Sequence, residues 1–105
     1  MRKILVWNSW NVQHLGDHAV YEQEVRYVVE YASGRYPQKI GDRKYLVRGR
    51  IRQRRALQVI YLVLGDAEVD IELLDLVERV GFERGNEVLY VIHARDLKAA
   101  EKRLI

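Results

Sequence analysis

The spacing of apolar and polar residues changes several times along the chain, and each change marks an element. Lys3 to Trp7 is a short apolar run stopped by Asn8-Ser9, which predicts a first strand. Trp10 to His18 predicts a short helix with Asn8 or Ser9 as its N-cap and Gly16 as its weak point. From Tyr21 onward, Val25, Val28, Val29 and Ala32 recur at helical spacing. This second helix stops at Gly34, and Pro37 forbids its continuation. Glu22, Gln23, Glu24, Arg26 and Glu30 supply its wet face.

After a turn near Gly41-Asp42 the period falls to two. Over Arg43 to Arg52, Tyr45, Val47 and Ile51 fall on one face, and Lys44, Leu46, Arg48, Arg50 and Arg52 on the other. Gln53-Arg54-Arg55 reads as a hairpin link. Leu57 to Leu64 is apolar on both faces, as a central strand would be. Glu87 to Ala94 predicts a further strand, and Asp96 a cap for a final helix through Leu104. Between them, Ala67, Val69, Ile71 and Leu73 alternate like a strand, whereas Val69, Leu73, Leu76, Val77 and Val80 share a helical face ending near Gly81. The helix is preferred over Asp66–Asn86, with the strand left open. The whole predicts an α+β domain: an antiparallel sheet with the N-terminal helices on one face and a C-terminal helix.

Composition narrows the class. A chain of 105 residues fits one domain, 1–105, that needs no metal or disulfide to fold. Having no cysteine, it excludes a thiolate metal site and a cysteine nucleophile. The apolar start is too short for a signal peptide or a membrane span, so no membrane role and a cytoplasmic location are expected. The net charge of +3 hides a strong asymmetry. Residues 35–55 carry nine basic side chains against Asp42 alone, and residues 66–78 carry six acids and no base. A basic patch of that density attracts polyanions. Arginines outnumber lysines thirteen to five, which suits phosphate, although genome composition gives the same bias.

Val6-Trp7-Asn8-Ser9-Trp10-Asn11-Val12-Gln13-His14, followed by Asp17-His18-Ala19-Val20 and Glu22-Gln23-Glu24-Val25, resembles the opening of the BrnT family of bacterial toxin ribonucleases. Lys44-Tyr45-Leu46-Val47-Arg48-Gly49-Arg50 is similar to that family's strand ending in Gly-Arg, and Leu57 to Tyr61 to its next apolar strand. Val91-Ile92-His93-Ala94-Arg95 and Glu101-Lys102-Arg103 resemble its closing segments. The chain departs from the pattern at Ala19, where the family usually has Gly, and at His93, where it usually has Ser or Thr. The acidic stretch of about 66–86 departs too, as an insertion. The resemblance implies a fold related to RelE-type ribonucleases and RNA cleavage without a metal or other cofactor. It also implies neutralisation by an antitoxin protein in a type II toxin–antitoxin pair. A homodimer is one further assembly open to it.

Metal-free RNA cleavage needs a base near the 2′-hydroxyl, cations on the phosphate and an acid for the 5′-oxygen. If Val88, Tyr90 and Ile92 face the helices with Tyr45, Val47 and Ile51, then Arg48, Arg50, His93 and Arg95 share the opposite face. Arg48 and Arg50 are the candidates for phosphate and transition-state charge, Arg95 for a second clamp and His93 for proton transfer. Lys44, Arg52, Arg54 and Arg55 extend the RNA-binding strand, and Arg35 with Tyr36 offers a loop contact with stacking. The competing reading is an exposed strand whose arginines guard an edge, beside a histidine that caps a helix. His14, His18 and Glu22 share a helical face, a spacing that permits a metal; hydrogen-bonded scaffold histidines are the expectation, and no metal is assigned. Trp7 and Trp10 are expected in the core, with Tyr45 and Tyr61 as further stacking candidates. The acidic stretch reads as a solvated face, or as a mask over the basic strand. A non-catalytic nucleic-acid-binding domain and a protein-interaction module are the alternatives to a ribonuclease.

Overall fold

Two asparagines set the first helix. In the computed structural model, which describes residues 3–52, 55–64, 87–103 and 105, Asn8 caps helix α1 (Ser9–Asp17). Its Oδ1 accepts from the Asn11 N–H at 3.1 Å, and the Asn11 Oδ1 accepts from the Asn8 N–H at 2.7 Å. This reciprocal pair satisfies two amide donors that a helix N-terminus leaves without partners. Asn11 is buried and also donates to the Val6 carbonyl at 2.9 Å, so the helix is tied to the strand before it, β1 (Lys3–Val6).

Helix α2 (Glu22–Glu30) begins the same way with a carboxylate: Glu24 Oε1 accepts from the Tyr21 N–H at 3.0 Å. Its buried face is Val25, Val28 and Val29, as the spacing predicts. The helix ends at Glu30, short of Gly34, whose φ of 66° lies in the left-handed region that suits glycine.

Strands β2 (Gln38–Gly41), β3 (Lys44–Arg52), β4 (Arg55–Leu64) and β5 (Glu87–Asp96) complete a sheet in the order β1-β5-β4-β3-β2. The α+β class stands, with three corrections. The sheet is mixed rather than antiparallel, because β1 runs parallel to β5 with Lys3 opposite Glu87. The segment Gln38–Gly41 is a strand: four mostly exposed residues, with Ile40 as their one large apolar side chain and no apolar alternation, pair with β3 at the sheet edge. Asp96 ends β5 and does not cap a helix; the last helix, α3, spans only Ala99–Lys102.

The core lies between the helices and one sheet face, where Val47, Leu57, Val59, Tyr61, Leu89 and Val91 meet Leu15, Val25, Val28 and Val29. Leu89 and Val91 thus belong to this core, and Tyr90 packs instead with Val6 and Val88. The reason is a bulge: Ile60 pairs with His93 but Tyr61 pairs with Val91, so Ile92 is an extra residue on β5. Alternation is reset there, and the faces expected for Glu87–Val91 are reversed. Trp7 packs against the core, whereas Trp10 is 47% exposed and is not part of it. The expected acidic helix at 66–86 lies outside the described residues, as do Gln53, Arg54 and Leu104. Among the described residues no helix is long and apolar enough to cross a membrane.

Candidate nucleic-acid interface

The sheet register builds the site. Arg48 on β3 pairs with Gln58 on β4, and Gln58 pairs with Arg95 on β5. These three residues form one row on the face away from the core. His93 stands two residues before Arg95 in the next row, opposite Ile60. Arg48, His93 and Arg95 therefore share a face, as alternation predicts for that part of β5, and Arg50 follows Arg48 by two residues along β3.

Gln58 is the one amide in β4, whose residues after Arg55 are otherwise apolar or aromatic, and it is 6% exposed. A buried amide needs partners, and here its Oε1 accepts from Arg48 Nε at 3.0 Å and Nη2 at 2.9 Å, and from Arg95 Nη2 at 3.4 Å. Glu101, from α3, closes the row. Its Oε1 accepts from Arg95 Nη1 at 2.8 Å and its Oε2 from Arg95 Nη2 at 2.9 Å, with Arg48 Nη2 at 3.4 Å. Glu101 Oε1 also accepts from the Lys98 N–H, which starts α3. The Arg95 guanidinium, then the Lys98 amide, hold the Glu101 carboxyl down at about 2. Two arginines thus converge on one carboxylate, in the bidentate geometry that arginine also offers a phosphate.

Helix α1 brings imidazoles to the same strand. Trp10, His14 and His18 follow at intervals of four and line one side of the helix. Trp10 stacks on His14 with ring centroids 4.0 Å apart and lies 6.3 Å from Tyr90, whose hydroxyl donates to Asn8 Oδ1 at 3.2 Å. The His18 and His93 rings meet edge to face at 5.7 Å. All three histidines of the chain thus lie where α1 meets β5, and Arg95 follows His93 by two residues on that strand. Burial lowers the His93 pKa, and His18, Arg95 and His14 push it further the same way. Both effects favour the neutral form of the His93 imidazole. Among the described residues no three His, Asp or Glu side chains converge as metal ligands. His14 turns to Trp10 and His18 to His93, which leaves the expected spacing with Glu22 unused.

The other predicted residues are distributed differently. Arg50 is exposed, and its Nη2 donates to the Lys102 carbonyl at 3.1 Å. Lys44 lies on the same sheet face further along β3, opposite Leu62. Arg35 stands 5.7 Å over the Tyr36 ring, in the loop before β2. Arg52 ends β3, pairing with Arg55; Arg54 lies outside the described residues. Arg55 is held by the scaffold: Nη1 donates to both Glu24 oxygens at 3.0 and 2.9 Å, Nε to Asp96 at 2.9 Å and Nη2 to the Ala19 carbonyl at 2.7 Å. Tyr45 and Tyr61 stack on each other at 5.8 Å on the helix-facing side, and burial pushes the Tyr61 hydroxyl up to about 12. They are core, not stacking platforms.

Sequence reasoning did not select Gln58 or Glu101. A lone amide in an apolar strand was the available signal for the first. Glu101, three residues after Lys98, has the spacing of a capping residue. No protein-family model, curated protein or solved structure matches this chain.

Proposed function

We propose that the chain is a metal-independent ribonuclease acting on single-stranded RNA. The observation that carries this reading is the pair of imidazoles of His18 and His93, 5.7 Å apart, beside the Arg95 guanidinium. Neutral His93 takes the proton from a ribose 2′-hydroxyl as that oxygen attacks the adjacent phosphorus. His18, exposed at the helix end, serves as the acid that gives a proton to the departing 5′-oxygen as the phosphorus–oxygen bond breaks. Arg95 and Arg48 take the charge that builds on the phosphate. The products are a 2′,3′-cyclic phosphate and a 5′-hydroxyl, and the protons balance. The resemblance to BrnT toxins supports the same reading and adds an antitoxin partner that would silence it.

One observation favours the alternative of RNA binding without cleavage: Glu101 occupies both nitrogens of the Arg95 fork. In that case the basic face holds RNA through other cations and the histidines are structural. Incubating the protein with labelled single-stranded RNA in excess EDTA separates the two. The ribonuclease reading expects cleavage that disappears in His93→Ala; salt-sensitive binding with intact RNA selects the alternative.

A further inference from the structure

At the end of α2, Tyr27 and Tyr31 stand four residues apart with ring centroids 4.7 Å from each other. Both are exposed, at 46% and 68%. Large aromatic rings left in water beside arginines call for a partner. They line a cavity of about 320 Å³ together with Ser33, Tyr36, Arg48 and Arg50. That volume falls at the lower end of small-ligand sites, roughly 300–1,000 Å³.

The backbone explains why the cavity is there. Strand β2 pairs with β3 only as far as Leu46, opposite Gln38, so the outer edge of β3 beyond that point has no strand beside it among the described residues. Helix α2 fills part of the gap and approaches β3 at Gly49, where an added Cβ would sit 3.5 Å from Val28. Val28, Gly49 and Ile105 also line the cavity, and Arg48 and Arg50 stand on either side of Gly49 along β3. Arg48 is shared with the Gln58–Glu101–Arg95 row, so the cavity adjoins the place assigned to the scissile phosphate.

We infer that this cavity is a nucleobase subsite: it takes an unpaired base of single-stranded RNA against Tyr27 and Tyr31, with Arg50 on the flanking phosphate. This rests on the ribonuclease reading for its position along the strand, but not for its chemistry. Every base offers a π-face, so aromatic walls bind bases with little regard to sequence, and arginines hold the backbone beside them. Among the described residues no Asp or Glu side chain lines the cavity.

The test uses short 2′-O-methyl oligonucleotides, which lack the attacking hydroxyl and cannot be cleaved. One carries bases throughout and the other is abasic at its central positions; affinity is read by fluorescence anisotropy in EDTA. Wild type is expected to bind the base-bearing strand roughly fivefold to thirtyfold more tightly than the abasic one. Tyr31→Ala and Tyr27→Ala should erase most of that preference and leave abasic binding unchanged, while Tyr31→Trp keeps it. Both side chains are exposed, so the fold should survive, and thermal melting confirms it. Equal affinity for the two strands, or a preference that survives both alanine variants, overturns the subsite. Base preference without any cleavage of ordinary RNA keeps the subsite and removes the ribonuclease reading; cleavage with no tyrosine dependence does the reverse.

Discussion

Glu101 grips Arg95 with both carboxylate oxygens, at 2.8 and 2.9 Å, and so sits where a phosphate would be held by the same fork. On the proposed reading, an incoming RNA phosphate has to displace it. Replacing the carboxylate by an amide removes the competing charge, so Glu101→Gln should raise affinity for single-stranded RNA roughly threefold to tenfold. Titrations at fixed salt measure it; unchanged or weaker binding would show that Arg95 does not meet phosphate. The contact also has a defined acid limit. Its carboxyl is lowered from 4.5 to about 2, so its contribution is complete above the usual carboxylate range and fades as pH falls from about 4.5 to 2.

Arg55 separates scaffold from ligand among the basic residues. Its guanidinium meets Glu24, Asp96 and the Ala19 carbonyl, and Glu24 is only 9% exposed. Arg55→Lys keeps the charge but cannot span three partners. The loss should be about 2 kcal/mol, toward the low end for a broken buried pair, because a quarter of the Arg55 side chain remains in water. Denaturant melts check that. RNA affinity of the folded fraction should keep its salt dependence, whereas Arg50→Ala should lower the log–log slope by about one.

Ala19 carries a φ of 53° in the link between α1 and α2. An alanine in the left-handed region costs about 1–2 kcal/mol, which the Arg55 hydrogen bond to its carbonyl helps offset. Ala19→Gly relieves that strain but gives back about 0.4–1 kcal/mol through a freer unfolded chain. The variant should therefore be about 0.5 kcal/mol more stable, a rise in melting temperature that calorimetry can resolve. A destabilised variant would mean that the link does not hold this conformation.

These residues also show what could be read from the chain. The α2 face, the basic face of β3 and the apolar β4 follow from periodicity, because burial on one side forces it. The Asn8 cap was legible for the same local reason. β2 was not legible, since an exposed edge strand has no apolar alternation to display. The facing of Leu89 and Val91 failed at the Ile92 bulge, which a pattern of period two cannot announce. Arg48 and Arg95 were found from charge and alternation, but their acceptors came from register and from a helix distant in sequence. Helical spacing pairs His18 with Glu22; only the packing of α1 beside β5 brings it to His93.

The lowered pKa of His93 gives both activity and stability a direction with pH. A base must be neutral to accept a proton, so the acid limb of kcat/KM should have its midpoint below the ordinary histidine value of about 6.5. Stability runs the same way. The folded state binds the proton less readily than the unfolded chain, so stability is full above about 6.5 and declines as pH falls toward the lower folded value. His93→Gln should flatten that part of the stability profile. A midpoint above 6.5 would contradict the desolvated, cation-flanked environment described for this ring.

The most direct test of the central claim is the end-group chemistry of RNA treated in EDTA by wild type, His18→Ala and His93→Ala. Wild type should yield 2′,3′-cyclic phosphate and 5′-hydroxyl ends, and each variant should lose at least about a hundredfold in rate while still binding RNA. Intact RNA with wild type, or cleavage that neither substitution slows, would contradict a two-histidine ribonuclease.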